Sequence, residues 1–396
     1  MHALAAHGTR PKKDRGRRWW LVALGAIVVL AAAAGAGYAV ASHRSKKAGG
    51  TLVNCAHGAT CSPVHRDPPL TVASTTPADG AQGIATDADL FVKFSQPLAP
   101  GGPTPSITPP VTGSWQQTGK STLLFVPSAP FIPFQKYTLT VPGGAAGIQD
   151  VAGSTLGTRT SATFTVAAGS ALRLEQLLAL ADYLPLSFVE PPGLAPQEMA
   201  QPQPGTLTWK WPGTPPSLMD VWAQGQPNIV TKGAVMSFES QNGLSVDGVA
   251  GPQVWSTLLA DVATGKVDPA PYAYVLVTKT LPQHLTMWVN GSLHASHVLV
   301  NTGVHGATTA DGTFTVFEHV TASEMKGTNV TGSTYDDKTV PWASYFNGGD
   351  ALHGFPRASY GFPQSNGCVE MNIATAGALW PSTPVGTPVT VIGPPS

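Results

Sequence analysis

The feature that most constrains this chain is a continuous apolar run near its N-terminus, from Trp19 to about Val40. About 20 apolar residues in a helix are long enough to cross the roughly 30 Å hydrocarbon core of a bilayer. A basic cluster precedes the run and consists of Arg10, Lys12, Lys13, Arg15, Arg17 and Arg18. Because such flanks stay in the cytoplasm, we expect a cytoplasmic tail over residues 1–18, a transmembrane helix over residues 19–41 and an external remainder.

A cleaved signal peptide is the alternative interpretation of this segment, and it would make the protein secreted. The triplet Ala39-Val40-Ala41 resembles a signal-peptidase site. Signal peptides, however, usually have apolar regions of about 7–15 residues, so the length of this run favours an uncleaved single-pass anchor. The predicted location is therefore the cell membrane, with the C-terminal region outside.

The composition favours short strands and turns over long charged helices. Charged residues make up 11% of the chain, against roughly 25% in average soluble proteins, and there are 43 Gly and 37 Pro. Lys+Arg and Asp+Glu both total 22, so no overall basic field indicates a nucleic-acid partner.

The chain has three cysteines. Cys55 and Cys61 follow the apolar run closely, and an oxidising compartment would allow them to close a small loop. A reduced pair, or an attachment point for a lipid or a partner, fits the same spacing. Cys368 is left unpaired, and an odd cysteine in an exported protein is a candidate reactive thiol.

Residues 70–167, after a linker over residues 42–69, contain short β runs separated by Gly- and Pro-rich turns. Examples are 90–94, 122–126, 137–141 and 163–166, a spacing that predicts a β-sandwich of about 100 residues. The segments Thr76-Pro77-Ala78-Asp79-Gly80 and Asp150-Val151-Ala152-Gly153 resemble bacterial Ig-like domains of exported proteins. The resemblance implies a spacer or adhesive role.

Residues 168–271 show helical periodicity at both ends. Leu174, Leu177, Leu178 and Ala181 form an apolar stripe, and two further helices are predicted over 234–244 and 253–259. The turn between them, Asp247-Gly248-Val249-Ala250-Gly251, makes the pair similar to the small helical peptidoglycan-binding repeat. Wall binding is what this resemblance implies. Residues 185–230, with a Pro-rich segment at 202–216, have no assignment from the pattern.

Residues 272–396 return to β patterning, with Asn290-Gly291 as a hairpin turn signal. His353 and Cys368 lie 15 positions apart near the end of this segment. A thiol is a good nucleophile near neutral pH, and a neighbouring imidazolium lowers its pKa. Gly367 allows the backbone to approach a substrate closely and to turn N–H groups towards its carbonyl. Without other signals, a buried structural cysteine would be the simpler interpretation.

The whole segment resembles the catalytic domain of L,D-transpeptidases, the YkuD-type fold. The matching motifs are His353-Gly354, Ser365-Asn366-Gly367-Cys368, Thr309-Ala310-Asp311-Gly312-Thr313-Phe314 and Val340-Pro341-Trp342. The resemblance implies that Cys368 is the nucleophile, that His353 is its general base and that the Gly354 carbonyl orients the imidazole. It also implies an oxyanion hole formed by the backbone N–H groups of Gly367 and Cys368.

Substrate contacts are expected from Tyr345, Ser365, Asn366, Gly367 and Arg357. Arg357 either meets an acidic group of a peptide stem or is a solvated loop residue. Asn366 stands where the family usually has His, and Glu370 stands where Asn or Arg commonly follows the cysteine. An amide donates hydrogen bonds but does not exchange protons near pH 7, so the change is expected to alter substrate contacts more than chemistry.

The resemblance implies a peptidoglycan L,D-transpeptidase that cross-links stem peptides through a cysteine acyl-enzyme in cell wall biogenesis. It also implies that the domain faces the cell wall and reacts covalently with carbapenem β-lactams. The alternatives are an inactive wall-binding scaffold, an L,D-carboxypeptidase and an acyltransferase that anchors proteins. No HExxH, paired CxxC or Gly-x-Ser-x-Gly motif occurs, so no metal, cofactor or serine nucleophile is predicted. The predicted fold is mostly β and multidomain, with an N-terminal transmembrane helix, an Ig-like β-sandwich, a small helical peptidoglycan-binding-like domain and a β-rich catalytic domain.

Overall fold

Eight strands form the first part of the structure, which is a computed structural model that describes residues 68–393. The strands are β1 (Val72–Thr76), β2 (Ala81–Ile84), β3 (Leu90–Phe94), β4 (Ser106–Thr108), β5 (Gly113–Gly119), β6 (Thr122–Pro127), β7 (Lys136–Val141) and β8 (Thr160–Val166). They make two four-stranded sheets, in the orders β1-β3-β6-β5 and β2-β8-β7-β4. Buried and exposed side chains alternate along β3, as expected of a strand with one face in a core. The predicted sandwich is confirmed.

The predicted transmembrane helix and the Cys55–Cys61 pair lie outside the described residues. Among the residues that are described, no helix combines the length and apolar character that crossing a bilayer requires.

A small helical part follows the sandwich. Its elements are α1 (Ala171–Leu180), β9 (Leu186–Ser187), β10 (Thr208–Trp209), α2 (Pro216–Met219), α3 (Ile229–Gln241) and α4 (Pro252–Thr264). Helix α3 begins five residues before the predicted start because the Asn228 side chain caps it, accepting from the Thr231 N–H at 2.8 Å. The segment without an assignment contributes the short antiparallel pair β9–β10.

The last part contains two sheets and one helix. Its elements are β11 (Ala273–Thr278), β12 (His284–Val289), β13 (Ser292–Leu299), β14 (Gly312–Thr315), β15 (Glu318–Thr328), β16 (Thr334–Asn347), β17 (Asp350–Gly354), β18 (Val369–Met371), α5 (Ile373–Leu379) and β19 (Pro388–Ile392). The sheet orders are β13-β12-β11-β19-β14 and β15-β16-β17-β18. Val275, Met287, Phe346, Leu352 and Val369 belong to one core cluster that both sheets share.

The helical part packs directly on this β-rich part. A Cβ placed on Gly233 of α3 would lie 2.4 Å from the Gly386 carbonyl oxygen, so the contact is between backbones. Nearby, Thr315 Oγ1 lies 3.3 Å from Met236 Sδ, and Tyr274 Oη donates to Ser217 Oγ at 2.9 Å. The described residues accordingly belong to one compact unit, Asp67–Ser396.

Candidate active site

The predicted base lies on β17, and the predicted nucleophile directly precedes the adjacent parallel strand β18. In the pairing of β17 with β18, Leu352 is opposite Val369 and His353 is opposite Glu370. Cys368 directly precedes Val369, so it shares a sheet face with Glu370 and His353 because alternate residues of a strand point the same way. All three line one cavity of about 700 Å³.

The long hairpin β15–β16 also lines this cavity, with Met325, Tyr335 and Asp337. The predicted contact residues that line the cavity are Tyr345, Arg357, Ser365 and Asn366. The roles predicted for Gly354 and Gly367 involve their backbone groups. The fold therefore brings together the residues that the sequence singled out.

His353 is held as a neutral base. Its side chain is 2% exposed, and Nδ1 donates to the Gly354 carbonyl oxygen at 3.1 Å. Because that bond takes the Nδ1 proton, Nε2 carries the lone pair that can accept another. Burial lowers the pKa of His353 and outweighs the opposing effects of the Gly354 carbonyl and the Glu370 charge. The imidazole is therefore neutral at pH 7.

Burial favours the thiol form of Cys368 over the thiolate. Its Sγ donates to the Gly349 carbonyl oxygen at 3.5 Å, and among the described residues it makes no hydrogen bond to His353. Burial raises the pKa of Cys368 to about 12, the Ala351 N–H lowers it, and the Asp350 and Glu370 charges raise it. Acidification of this thiol by a neighbouring imidazolium stays a prediction.

The turn before the cysteine requires glycine. Gly367 has φ +124°, and a Cβ there would lie 2.2 Å from Asp350 Oδ1. Its N–H donates to Ser365 Oγ at 3.2 Å, and that hydroxyl donates to the Cys368 carbonyl oxygen at 2.5 Å. The Gly367 N–H is therefore occupied at rest. No side chain in the described part of the chain accepts from the Cys368 N–H.

Thr309 supports the same turn from below and was not among the predicted site residues. Its Oγ1 donates to the Gly367 carbonyl oxygen at 2.6 Å and accepts from the Gly303 N–H at 2.9 Å. Buried Lys279 donates to the Thr309 carbonyl oxygen at 3.0 Å and pairs with Asp311 at 2.9 Å. The sequence signal was the 309–314 turn, which the resemblance matched without giving it this contact.

Arg357 pairs with Glu370 in a two-pronged ion pair. Nε lies 2.8 Å from Oε2, Nη2 lies 2.7 Å from Oε1, and the guanidinium also covers the Phe355 ring at 4.7 Å. Glu370 is 4% exposed, so the pair is sheltered on one side. The carboxylate that replaces the usual Asn or Arg therefore has its own cation. Arg357 is engaged by Glu370 here, so a substrate carboxylate would have to compete for it.

Asn366 reaches across the mouth of the cavity. Its Nδ2 donates to Oδ1 of Asn329 at 2.6 Å, at the turn that joins β15 to β16. Asn329 was not predicted, because nothing in the sequence places that turn beside the cysteine. The amide in the usual His position thus contacts the turn of the β15–β16 hairpin.

Three family models match the chain. They are a bacterial Ig-like domain over residues 66–166, a putative peptidoglycan binding domain over residues 224–258 and an L,D-transpeptidase catalytic domain, YkuD, over residues 272–391. No curated protein matches the chain.

Solved structures with a similar fold include three L,D-transpeptidases. One from Mycobacterium smegmatis is 14% identical, over 82% of this chain and 100% of that chain, with a TM-score of 0.29. L,D-transpeptidase 3 from Mycobacterium tuberculosis in complex with a faropenem-derived adduct is 14% identical, over 81% and 98%, with a TM-score of 0.28. The E. faecium catalytic domain acylated by ertapenem is 23% identical, over 32% and 100%, with a TM-score of 0.27.

Identities and TM-scores this low support no conclusion about the activity of this chain. The family matches, in contrast, agree with the sandwich, the helix pair and the two-sheet part that the structure contains. The chain therefore carries a bacterial Ig-like domain, a peptidoglycan-binding domain and a YkuD L,D-transpeptidase catalytic domain.

Proposed function

We propose that the chain is a peptidoglycan L,D-transpeptidase that cross-links stem peptides through an acyl-enzyme on Cys368. One observation carries the proposal: His353 lies on β17, Cys368 directly precedes the adjacent strand β18, and both line one cavity, within the segment that matches this family. A nucleophile and a base that share a cavity are the minimum that acyl transfer requires.

The first half-reaction acylates the cysteine. The arriving amide carbonyl draws Sγ away from the Gly349 oxygen, and the thiol proton passes to Nε2 of His353 as the S–C bond forms. The imidazolium then gives that proton to the amine of the terminal residue as the C–N bond breaks. The Gly354 carbonyl holds Nδ1–H throughout and stabilises the transient charge.

The developing oxyanion is stabilised by the Cys368 N–H. The Gly367 N–H joins it if the Ser365 hydroxyl rotates away, since that hydroxyl is its acceptor at rest. The second half-reaction passes the acyl group to an amine of a neighbouring stem and restores the thiol.

The rest of the chain supports work at the wall. The helix pair α3–α4 lies in the segment that matches a putative peptidoglycan binding domain. The basic cluster and the apolar run before residue 42 support a single-pass anchor in the cell membrane, with the described residues outside.

Protease accessibility in intact cells, with a variant in which residues 19–40 are polar, tests the anchor and its direction. Protection of the C-terminal part would contradict it.

The activity is tested with the full chain in detergent, incubated with disaccharide-tetrapeptide stems. Cross-linked dimers should appear with the wild type and be absent with Cys368→Ser. Intact mass after treatment with ertapenem should show one covalent adduct in the wild type and none in Cys368→Ser. A folded wild type that gives neither dimer nor adduct would refute the proposal.

An inactive wall-binding scaffold is the second candidate. It is favoured by the thiol that points to the Gly349 oxygen and by its raised pKa. The same adduct experiment separates the candidates, because a scaffold does not need an activatable thiol. An adduct accompanied only by trimmed stems would instead indicate an L,D-carboxypeptidase, and transfer to a protein amine would indicate an anchoring enzyme.

A further inference from the structure

The hairpin β15–β16 presents two chemically different faces. Tyr335 and Asp337 line the cavity, whereas Asp336 and Lys338 point away from it. The outer residues are paired, with Lys338 Nζ 2.7 Å from Asp336 Oδ2 and 2.9 Å from Glu324 Oε1. Two adjacent aspartates of one strand thus have opposite surroundings, because alternate residues face opposite sides.

The cavity carries an excess of negative charge. Its lining includes four carboxylates, from Glu324, Asp337, Asp350 and Glu370, and two cations, from Lys326 and Arg357. With His353 neutral, the formal charge is −2. An acidic cavity attracts cationic groups and repels carboxylates.

Two of the four carboxylates are paired with cations, and a third accepts a hydrogen bond from an amide. Glu370 forms an ion pair with Arg357. Glu324 accepts a hydrogen bond from Lys338 and lies 3.6 Å from Lys326. Asp350 accepts from the Asn347 amide at 3.3 Å, and burial raises its pKa.

Asp337 is the exception. Within the described residues its carboxylate makes no hydrogen bond and no ion pair. Its negative charge nevertheless acts on His353 and Arg357, because it is among the influences that raise the pKa of each. An unpaired carboxylate therefore lines the same cavity as the cysteine.

We propose that Asp337 selects the acyl acceptor by holding the primary amine of a second stem peptide beside the thioester on Cys368. This rests on the proposed function. The acceptor class is a peptide with a free side-chain amine, which is cationic at neutral pH and matches the carboxylate of Asp337, which has no ion pair and no hydrogen bond within the described residues. Water carries no charge for Asp337 to hold, so this residue sets the partition of the acyl-enzyme between amine and water.

Aminolysis of the thioester removes two protons from the bound ammonium. The bound ammonium releases one proton to solvent, and the resulting amine nitrogen attacks the thioester carbon. As the C–N bond forms and the C–S bond breaks, the second proton passes to Nε2 of His353 and from there to the departing sulfur. The products are the amide cross-link and the thiol of Cys368.

The test compares Asp337→Asn with the matched control Asp336→Asn in the full chain. Acylation is measured as the rate of ertapenem adduct formation. Partition is measured with tetrapeptide donor stems and two acceptors, a stem with a free side-chain amine and the same stem with that amine acetylated. Since a charge-assisted contact to an amine contributes roughly 10- to 100-fold, Asp337→Asn should lower the ratio of aminolysis to acylation by that factor. The Asp336→Asn ratio should match the wild type.

Salt provides a second measurement. Aminolysis by the wild type should fall as ionic strength rises, and Asp337→Asn should lose most of this dependence. An unchanged ratio in Asp337→Asn, or an equal fall in acylation and aminolysis, would overturn the inference while leaving the transpeptidase proposal standing. A wild type that forms no adduct would refute the transpeptidase proposal and, with it, this inference.

Discussion

Replacing Thr309 by Val tests whether its hydroxyl holds the turn at Gly367 that precedes Cys368. The side chain is 1% exposed, and its hydroxyl donates to the Gly367 carbonyl at 2.6 Å while accepting from the Gly303 N–H at 2.9 Å. Valine keeps the shape of threonine and removes both hydrogen bonds. Any effect therefore reports on the hydroxyl rather than on a cavity.

The expected cost follows from the burial of both partners. Removing one partner of a buried hydrogen bond costs about 1–3 kcal/mol, so the loss of two gives about 2–6 kcal/mol, and the apolar methyl offsets part of it. We expect a loss of about 3 kcal/mol and a fall in Tm of about 5 °C or more. Because Gly367 precedes Cys368, a shift of the turn by about 1 Å should slow acylation up to about 100-fold.

Thermal unfolding and the rate of ertapenem adduct formation measure the two effects. Thr309→Ser keeps the hydroxyl and loses one methyl, so it should acylate at close to the wild-type rate. The reasoning is wrong if Thr309→Val stays within about 0.5 kcal/mol of the wild type and acylates as fast, or if Ser behaves like Val.

Three further predictions concern the same cavity. A double-mutant cycle of Arg357→Gln and Glu370→Gln, followed by urea unfolding, should give a coupling free energy of about 1–3 kcal/mol, between the values for exposed and buried pairs. A coupling below about 0.3 kcal/mol would show that the ion pair does not stabilise the fold. Gly367→Ala, which forces a Cβ into a left-handed backbone and onto a neighbouring carboxylate, should acylate at least about 100-fold more slowly while staying folded by circular dichroism; near-normal acylation would contradict this. Because the pKa of His353 is lowered and its neutral form is the base, the rate of acylation should persist below pH 6.5 and decline only in more acidic solution. A decline in that rate that begins above pH 6.5 would refute this reasoning. The rate at which iodoacetamide alkylates free Cys368 should still be rising at pH 10.

The parts of the fold that the sequence predicted are those with local signals. The strands of the sandwich follow from the alternation of side chains, as in Leu90–Phe94. Helix α3 was predicted too short at its start because a side-chain cap, Asn228, was not read as one.

The pairings across the site could not be predicted, because they depend on which strands become neighbours. Arg357 and Glu370 are 13 positions apart, and only the parallel pairing of β17 with β18 brings them together. Likewise, Asp336 and Asp337 are chemically identical in the sequence. Their difference arises from the face of the hairpin that meets the cavity.

Burial is the main reason that the thiol of Cys368 stays protonated, and two carboxylates of the acidic cavity add to it. Asp350 and Glu370 disfavour a thiolate at Cys368, so a resting thiolate–imidazolium pair would be destabilised, and the neutral His353 is suited to remove the proton during attack. Once the cysteine is acylated, its sulfur belongs to a neutral thioester and the penalty disappears. The same negative field then favours a cationic amine over water as the next reactant. A cavity of this charge is therefore poorly suited to spontaneous thiol chemistry and well suited to aminolysis of an acyl-enzyme.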